Sequence, residues 1–129
     1  MNVAISVWQE RISSVFDFAA KLLLIDLEKG HEKSRKEIVL SEQSGPERAA
    51  KLRQLEVNVL ICGVISRSLA DMLNGAGIQV LPFVTGSVEQ VLAAYKAGNL
   101  SQPQYTLSSS WQGARRDFRR YRVRHGRQS

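Results

Sequence analysis

The order of apolar and polar positions predicts eight elements along the chain, β β β α β α β α. Val3-Ala4-Ile5-Ser6-Val7 is a short β run. It reads as a strand rather than a signal peptide, because no positive stretch precedes it and Glu10 and Arg11 soon follow. Residues 9–17 are polar around Ile12 and Val15, which predicts a loop. Residues 18–27 carry Leu22-Leu23-Leu24-Ile25 and lead into Glu28-Lys29-Gly30, a second strand ending in a turn; a helix over 16–24 is the alternative. His31 falls in that turn, exposed to solvent. Residues 34–40 alternate weakly and form the third strand. Pro46 then sits at the first position of a helix over 47–55, with Ala49, Leu52 and Leu55 on one face.

Residues 57–65 are almost continuously apolar, as in a strand covered on both faces. Leu69, Met72, Leu73 and Ala76 mark the next helical face, and Gly75 and Gly77 stop it. Residues 78–83 form a fifth strand. Ser87, with Gln90 three residues later, is a capping box for a helix ending at Gly98. Three strands in an antiparallel meander, followed by right-handed crossovers, predict a mixed α/β sheet of order 3-2-1-4-5 with helices on both faces.

Composition changes this picture at the C-terminal end. The chain has 129 residues and a formal charge of +6. Residues 1–100 hold 11 basic and 11 acidic side chains, whereas residues 101–129 hold seven arginines against Asp117 alone. A neutral domain of about 100 residues, large enough for one core, is therefore joined to a basic segment. That partition excludes a uniformly basic nucleic-acid-binding domain. One cysteine excludes an intrachain disulfide framework and a zinc site of four cysteines or of two cysteines and two histidines. No apolar run is long enough to span a bilayer, and a cytoplasmic location is the default expectation.

In such a sheet strands 1 and 4 are neighbours whose chains depart in opposite directions, and ligands favour the crevice at that switch point. The loop after strand 1 supplies Arg11 and Ser13; the stretch after strand 4 supplies Cys62, Gly63, Ser66 and Arg67 and opens a helix. A helix N-terminus with two arginines nearby suits an anion. Each residue also has a plainer role. Ser66 is an ordinary N-cap, Arg67 a surface arginine and Cys62 a small buried hydrophobe. Gly63 permits close backbone approach, and Trp8 either covers the base of the loop or lines the pocket. Catalysis finds little material. Strand 1 has no acid, Asp17, Asp26 and Asp71 are scattered, and His31 and His125 cannot furnish a Ser-His-Asp set. No Walker-type loop is present. These residues point to a binding module, not an enzyme.

Several segments together resemble the dinitrogenase iron–molybdenum cofactor biosynthesis family. They are Val3-Ala4-Ile5-Ser6, Val15-Phe16-Asp17, Leu24-Ile25-Asp26, Leu60-Ile61-Cys62-Gly63-Val64-Ile65-Ser66, Leu73-Asn74-Gly75-Ala76-Gly77-Ile78-Gln79-Val80 and residues 85–100. The resemblance spans residues 1–100 and implies an RNase-H-like three-layer α/β fold. It also implies non-enzymatic binding of a metal–sulfur cluster, an iron–molybdenum cofactor precursor or another molybdenum-containing sulfide cluster. Cys62 would be the metal ligand, and the partners would be proteins that donate and accept the cluster. Where many relatives carry His-Phe-Gly-Arg, this chain has Val15-Phe16-Asp17-Phe18, and where many carry a glycine it has Ser66.

Residues 101–110 read as a linker. Beyond it Trp111, Ala114, Phe118, Tyr121 and His125 recur at helical spacing, among arginines that include Arg115, Arg116, Arg119 and Arg120. An aromatic stripe within a cationic surround suits nucleic acid, an acidic protein or an anionic membrane surface. A solvated arginine-rich tail is the simpler alternative.

Overall fold

The computed structural model describes residues 1–41, 44–98 and 100. The order is β1 (Asn2–Trp8), β2 (Arg11–Ile12), a single 3₁₀ turn (Phe16–Phe18), β3 (Lys21–Glu28), β4 (His31–Val39), α1 (Gly45–Gln54), β5 (Val59–Ile61), α2 (Arg67–Gly75), β6 (Gln79–Leu81) and α3 (Val88–Ala97). Among the described residues the sheet is mixed and six-stranded, in the order β4-β3-β1-β5-β6, with β2 paired to β1 off this path. Five strands in the order 3-2-1-4-5 were expected. The difference is β2, a segment expected as loop, which pairs antiparallel with the end of β1 and enters the numbering.

Neighbouring residues on each strand face opposite layers. Ala4, Leu22, Leu60 and Val80 pack with Ala49 and Leu52 of α1 and Leu69 and Leu73 of α2. Val3, Ile5, Ile25, Val59, Ile61 and Leu81 pack with Val88, Val91 and Leu92 of α3. The molecule is thus a three-layer α/β sandwich, with α1 and α2 on one face and α3 on the other.

Several element ends differ from expectation, each for a local reason. The run 57–65 is strand only over Val59–Ile61. Beyond it the chain turns to meet the loop after β2, and Val64 bridges Val15. β4 begins at His31, a residue expected in the turn, where it pairs with Glu28; the side chains of β4 are almost all exposed, so no apolar alternation marks its start in the sequence. Residues 16–24 are not a helix; only Phe16–Phe18 turns, and β3 starts at Lys21.

Helix ends follow capping chemistry. The reciprocal capping box belongs to α1: the Ser44 hydroxyl accepts from the Glu47 amide, while the Glu47 carboxylate accepts from the Ser44 amide. At α3 the Ser87 hydroxyl accepts from the Gln90 amide at 3.2 Å. α2 ends in a Schellman motif. Gly77 takes φ +88°, and Ile78 N–H donates to the Leu73 carbonyl at 2.9 Å. Gly75 is simply the last residue of the helix.

Candidate functional site

The geometry of the site starts from a mismatch in strand length. β1 pairs in parallel with β5 only through Val3–Val59, Ala4–Leu60 and Ile5–Ile61. The upper end of β1 extends beyond β5, and there Val7 and Trp8 pair with Ile12 and Arg11 of β2 instead. The hairpin turn, Gln9-Glu10, places both residues in the left-handed region, at φ 51° and 65°. The outer side of β2 meets the start of α3. Ile12 N–H donates to the Gly86 carbonyl at 3.0 Å, and Val88 N–H to the Glu10 carbonyl at 2.9 Å.

The following residues lie in the gap beside β5. Ser13 N–H donates to the Ser6 carbonyl at 2.8 Å, and Val64 N–H to the Ser14 carbonyl at 2.7 Å. A Cβ on Gly63 would sit 2.5 Å from both the Ser13 and Ser14 carbonyl oxygens. Gly63 therefore does permit a close backbone approach, and the backbone that approaches is the chain's own. The switch-point gap, expected as an open crevice, is packed in this structure by residues 13–14, and Ser13 is buried.

The N-terminus of α2 is also satisfied from within. Ser66 is its N-cap, accepting from the Leu69 amide at 3.3 Å. Asp17 completes the cap. Its Oδ1 accepts from Ser66 N–H at 2.8 Å and its Oδ2 from the Ser66 hydroxyl at 2.6 Å. A carboxylate at a helix N-terminus satisfies free N–H groups and favours the helix dipole. The seat expected for a ligand anion thus holds an anion belonging to the protein.

The 3₁₀ turn that carries Asp17 is held in turn by Arg48 of α1. This arginine is buried, donates to the carbonyls of Phe16 (3.3 Å) and Ala19 (2.8 Å), and lies 5.7 Å from the centre of the Phe16 ring. Cys62 is fully buried in the same core cluster as Phe16 and Ala19. Burial, with a smaller contribution from the Asp17 charge, pushes its thiol well above the ordinary range. Buried and protonated, Cys62 is in this structure a core residue and not a wall of the crevice.

Arg11 and Arg67 are exposed at this end of the sheet, and the loops also present apolar surface. Trp8 is 62% exposed, Phe18 84% and Val64 41%. The sequence-predicted residues therefore divide into an exposed pair, Arg11 and Arg67, and a structural set, Ser13, Cys62, Gly63 and Ser66. Sequence reasoning missed the roles of Asp17 and Arg48. Arg48 had a legible signal, since it stands four residues before Leu52 on the apolar face of α1. Asp17 had none, because its partner Ser66 is 49 residues away. Among the described residues no group of three or more His, Cys, Asp or Glu is placed to hold a metal ion. Trp111, Arg115, Arg116, Phe118, Arg119, Arg120 and Tyr121 lie outside the described residues.

Comparison with known proteins adds the decisive observation. The family profile described as dinitrogenase iron-molybdenum cofactor matches residues 1–98. The chain belongs to that family. Solved structures share its fold. A candidate dinitrogenase from Methanocaldococcus jannaschii is 25% identical with a TM-score of 0.65, covering 81% of this chain and 96% of its own. The apo form of the orange protein from Desulfovibrio gigas is 19% identical with a TM-score of 0.66, covering 83% and 96%. A candidate NifB protein from Thermotoga is 23% identical with a TM-score of 0.61, covering 78% and 94%. Among curated proteins no significant match is found. No helix among the described residues is long and apolar enough to cross a membrane.

Proposed function

We propose that this protein is a non-enzymatic carrier whose cargo is an anionic metal–sulfur cluster, an iron–molybdenum cofactor precursor or another molybdenum-containing sulfide cluster. The family match over residues 1–98 is the observation that carries this reading. The loop cluster at the carboxyl ends of β1, β5 and β6 supports it. Exposed Arg11 and Arg67 offer guanidinium groups, which are weakly hydrated and suit large, diffuse anions. Trp8, Phe18 and Val64 supply apolar surface of the kind that a soft sulfide surface covers with little desolvation cost. The cargo is held by charge and contact rather than by thiolate ligation, since Cys62 is buried in this structure. Such a role implies proteins that load and unload the cluster.

Anaerobic reconstitution of the full chain with iron, sulfide and tetrathiomolybdate tests this reading. The expected product is coloured and retains molybdenum by elemental analysis after gel filtration, and Arg11→Ala with Arg67→Ala lowers that retention at least tenfold. A colourless, molybdenum-free wild-type product overturns it.

The partition of charge favours a second reading, a regulatory or interaction module. Its affinity for nucleic acid or an acidic protein would reside in residues 101–129, with their surplus of six positive charges.

A further inference from the structure

The segment between β2 and β3 has little regular backbone structure. Residues 15–19 have only a 3₁₀ turn, with Phe18 N–H to the Val15 carbonyl at 3.3 Å and Ala19 N–H to the Phe16 carbonyl at 3.0 Å. Such turns have poorer hydrogen-bond geometry than α-helix. The segment is pinned to the β5–α2 loop and to two helices. Phe16 N–H donates to the Val64 carbonyl at 2.8 Å. Asp17 accepts from both the amide and the hydroxyl of Ser66 at the head of α2. Arg48 of α1 donates to the carbonyls at both ends of the turn.

Two polar side chains are enclosed in the apolar core here. Cys62 is fully buried, and so is the hydroxyl of Ser6 in β1, which has no hydrogen-bond partner among the described residues. The two stand at corresponding positions, each two residues beyond the Ala4–Leu60 pair. A buried hydroxyl without a partner is a cost of the closed arrangement that a hydrated, open one escapes.

We propose that residues 15–19 are a strap, latched by Asp17 on Ser66 and by Arg48 on the Phe16 and Ala19 carbonyls, that seals Cys62 and opens as a unit ahead of global unfolding. Few regular backbone bonds secure the segment, and opening it withdraws the buried Phe16 ring from the core, so the opening costs free energy yet exposes far less surface than global unfolding. Closed, the strap keeps the thiol protonated and inert. Open, it brings the thiol and the first amides of α2 to the surface together. This gate does not depend on the cargo reading above, and its test uses no metal.

Cys62 is the only cysteine in the chain, so its labelling by an aromatic disulfide reports one site. The Cys62 thiolate attacks the reagent's disulfide, forming a mixed disulfide and releasing one coloured aromatic thiolate. In the full wild-type chain the labelling rate is expected to be nearly independent of urea at low concentration, the signature of local opening. Asp17→Ala and Ser66→Ala each remove hydrogen bonds to a charged group and should raise the urea-free rate about tenfold or more. Amide protection in β1 and β5 should stay unchanged in these variants. A wild-type rate that follows the full urea slope of global unfolding overturns the proposal. So do variant rates that rise only in proportion to lost global stability. The wild-type urea series decides the matter even where a variant fails to fold.

Discussion

Gly63 and Cys62 are adjacent and both buried, one against backbone and the other among apolar side chains. A glycine after an apolar run signals close approach, and the two carbonyl oxygens 2.5 Å from its missing Cβ meet that expectation. Both oxygens belong to backbone, so they cannot swing aside. Gly63→Ala should destabilise the domain by about 1–3 kcal/mol, read as a lower urea midpoint at unchanged slope. For Cys62 the sequence left core and crevice open, because which side of the strand end is covered depends on a turn made by distant residues. Burial raises the folded thiol's pKa, so the native state keeps a proton that the unfolded chain releases. Stability is then full below about pH 8.5 and falls above it by about 1.4 kcal/mol per pH unit. Urea midpoints measured from pH 7 to 10 should show that fall in the wild type and a shallower one in Cys62→Ala.

Elements were legible where burial imposed a period. Leu69 and Leu73 on α2 and Val88 and Val91 on α3 all lie in the core. β4 was less so, because an edge strand with nearly every residue exposed has no apolar rhythm. Its charges have a place instead. Arg35 binds Glu32 through two hydrogen bonds, at 2.6 and 2.8 Å, and reaches Glu89 at the start of α3. This ties the sheet edge to the helix layer, and Arg35 holds both carboxyl groups below the usual carboxylate range. Carboxylates lowered in the folded state contribute stability above the unfolded value, near pH 4.3, and lose it as pH falls through their folded values. Glu89 is largely exposed, so the sum is modest. Arg35→Ala should cost up to about 1 kcal/mol at pH 7 and low salt. In thermal melts that difference should shrink toward pH 3 and in concentrated salt.

At the scale of the whole molecule, residues 1–100 are charge-balanced and residues 101–129 bear seven arginines and one acid. If that segment binds polyanions, the full chain should bind duplex DNA or heparin with an affinity that falls steeply as salt rises, because each neutralised phosphate releases a counterion. Removing residues 105–129 should abolish that binding while leaving cluster reconstitution intact; retention on the polyanion after truncation would place the contact on the domain. The sequence by itself determined the α/β class, the mixed sheet, the helices on both faces and the partition of charge between residues 1–100 and 101–129. These follow from local periodicity, capping residues and charge counts, which act within a few residues. Only the tertiary structure decided what fills the switch point. The overhang of β1 beyond β5, the packing of residues 13–14 against Gly63 and the seat of Asp17 on Ser66 join residues about 50 positions apart. Contacts at that separation leave no period in a sequence, so they emerge only when the chain is folded.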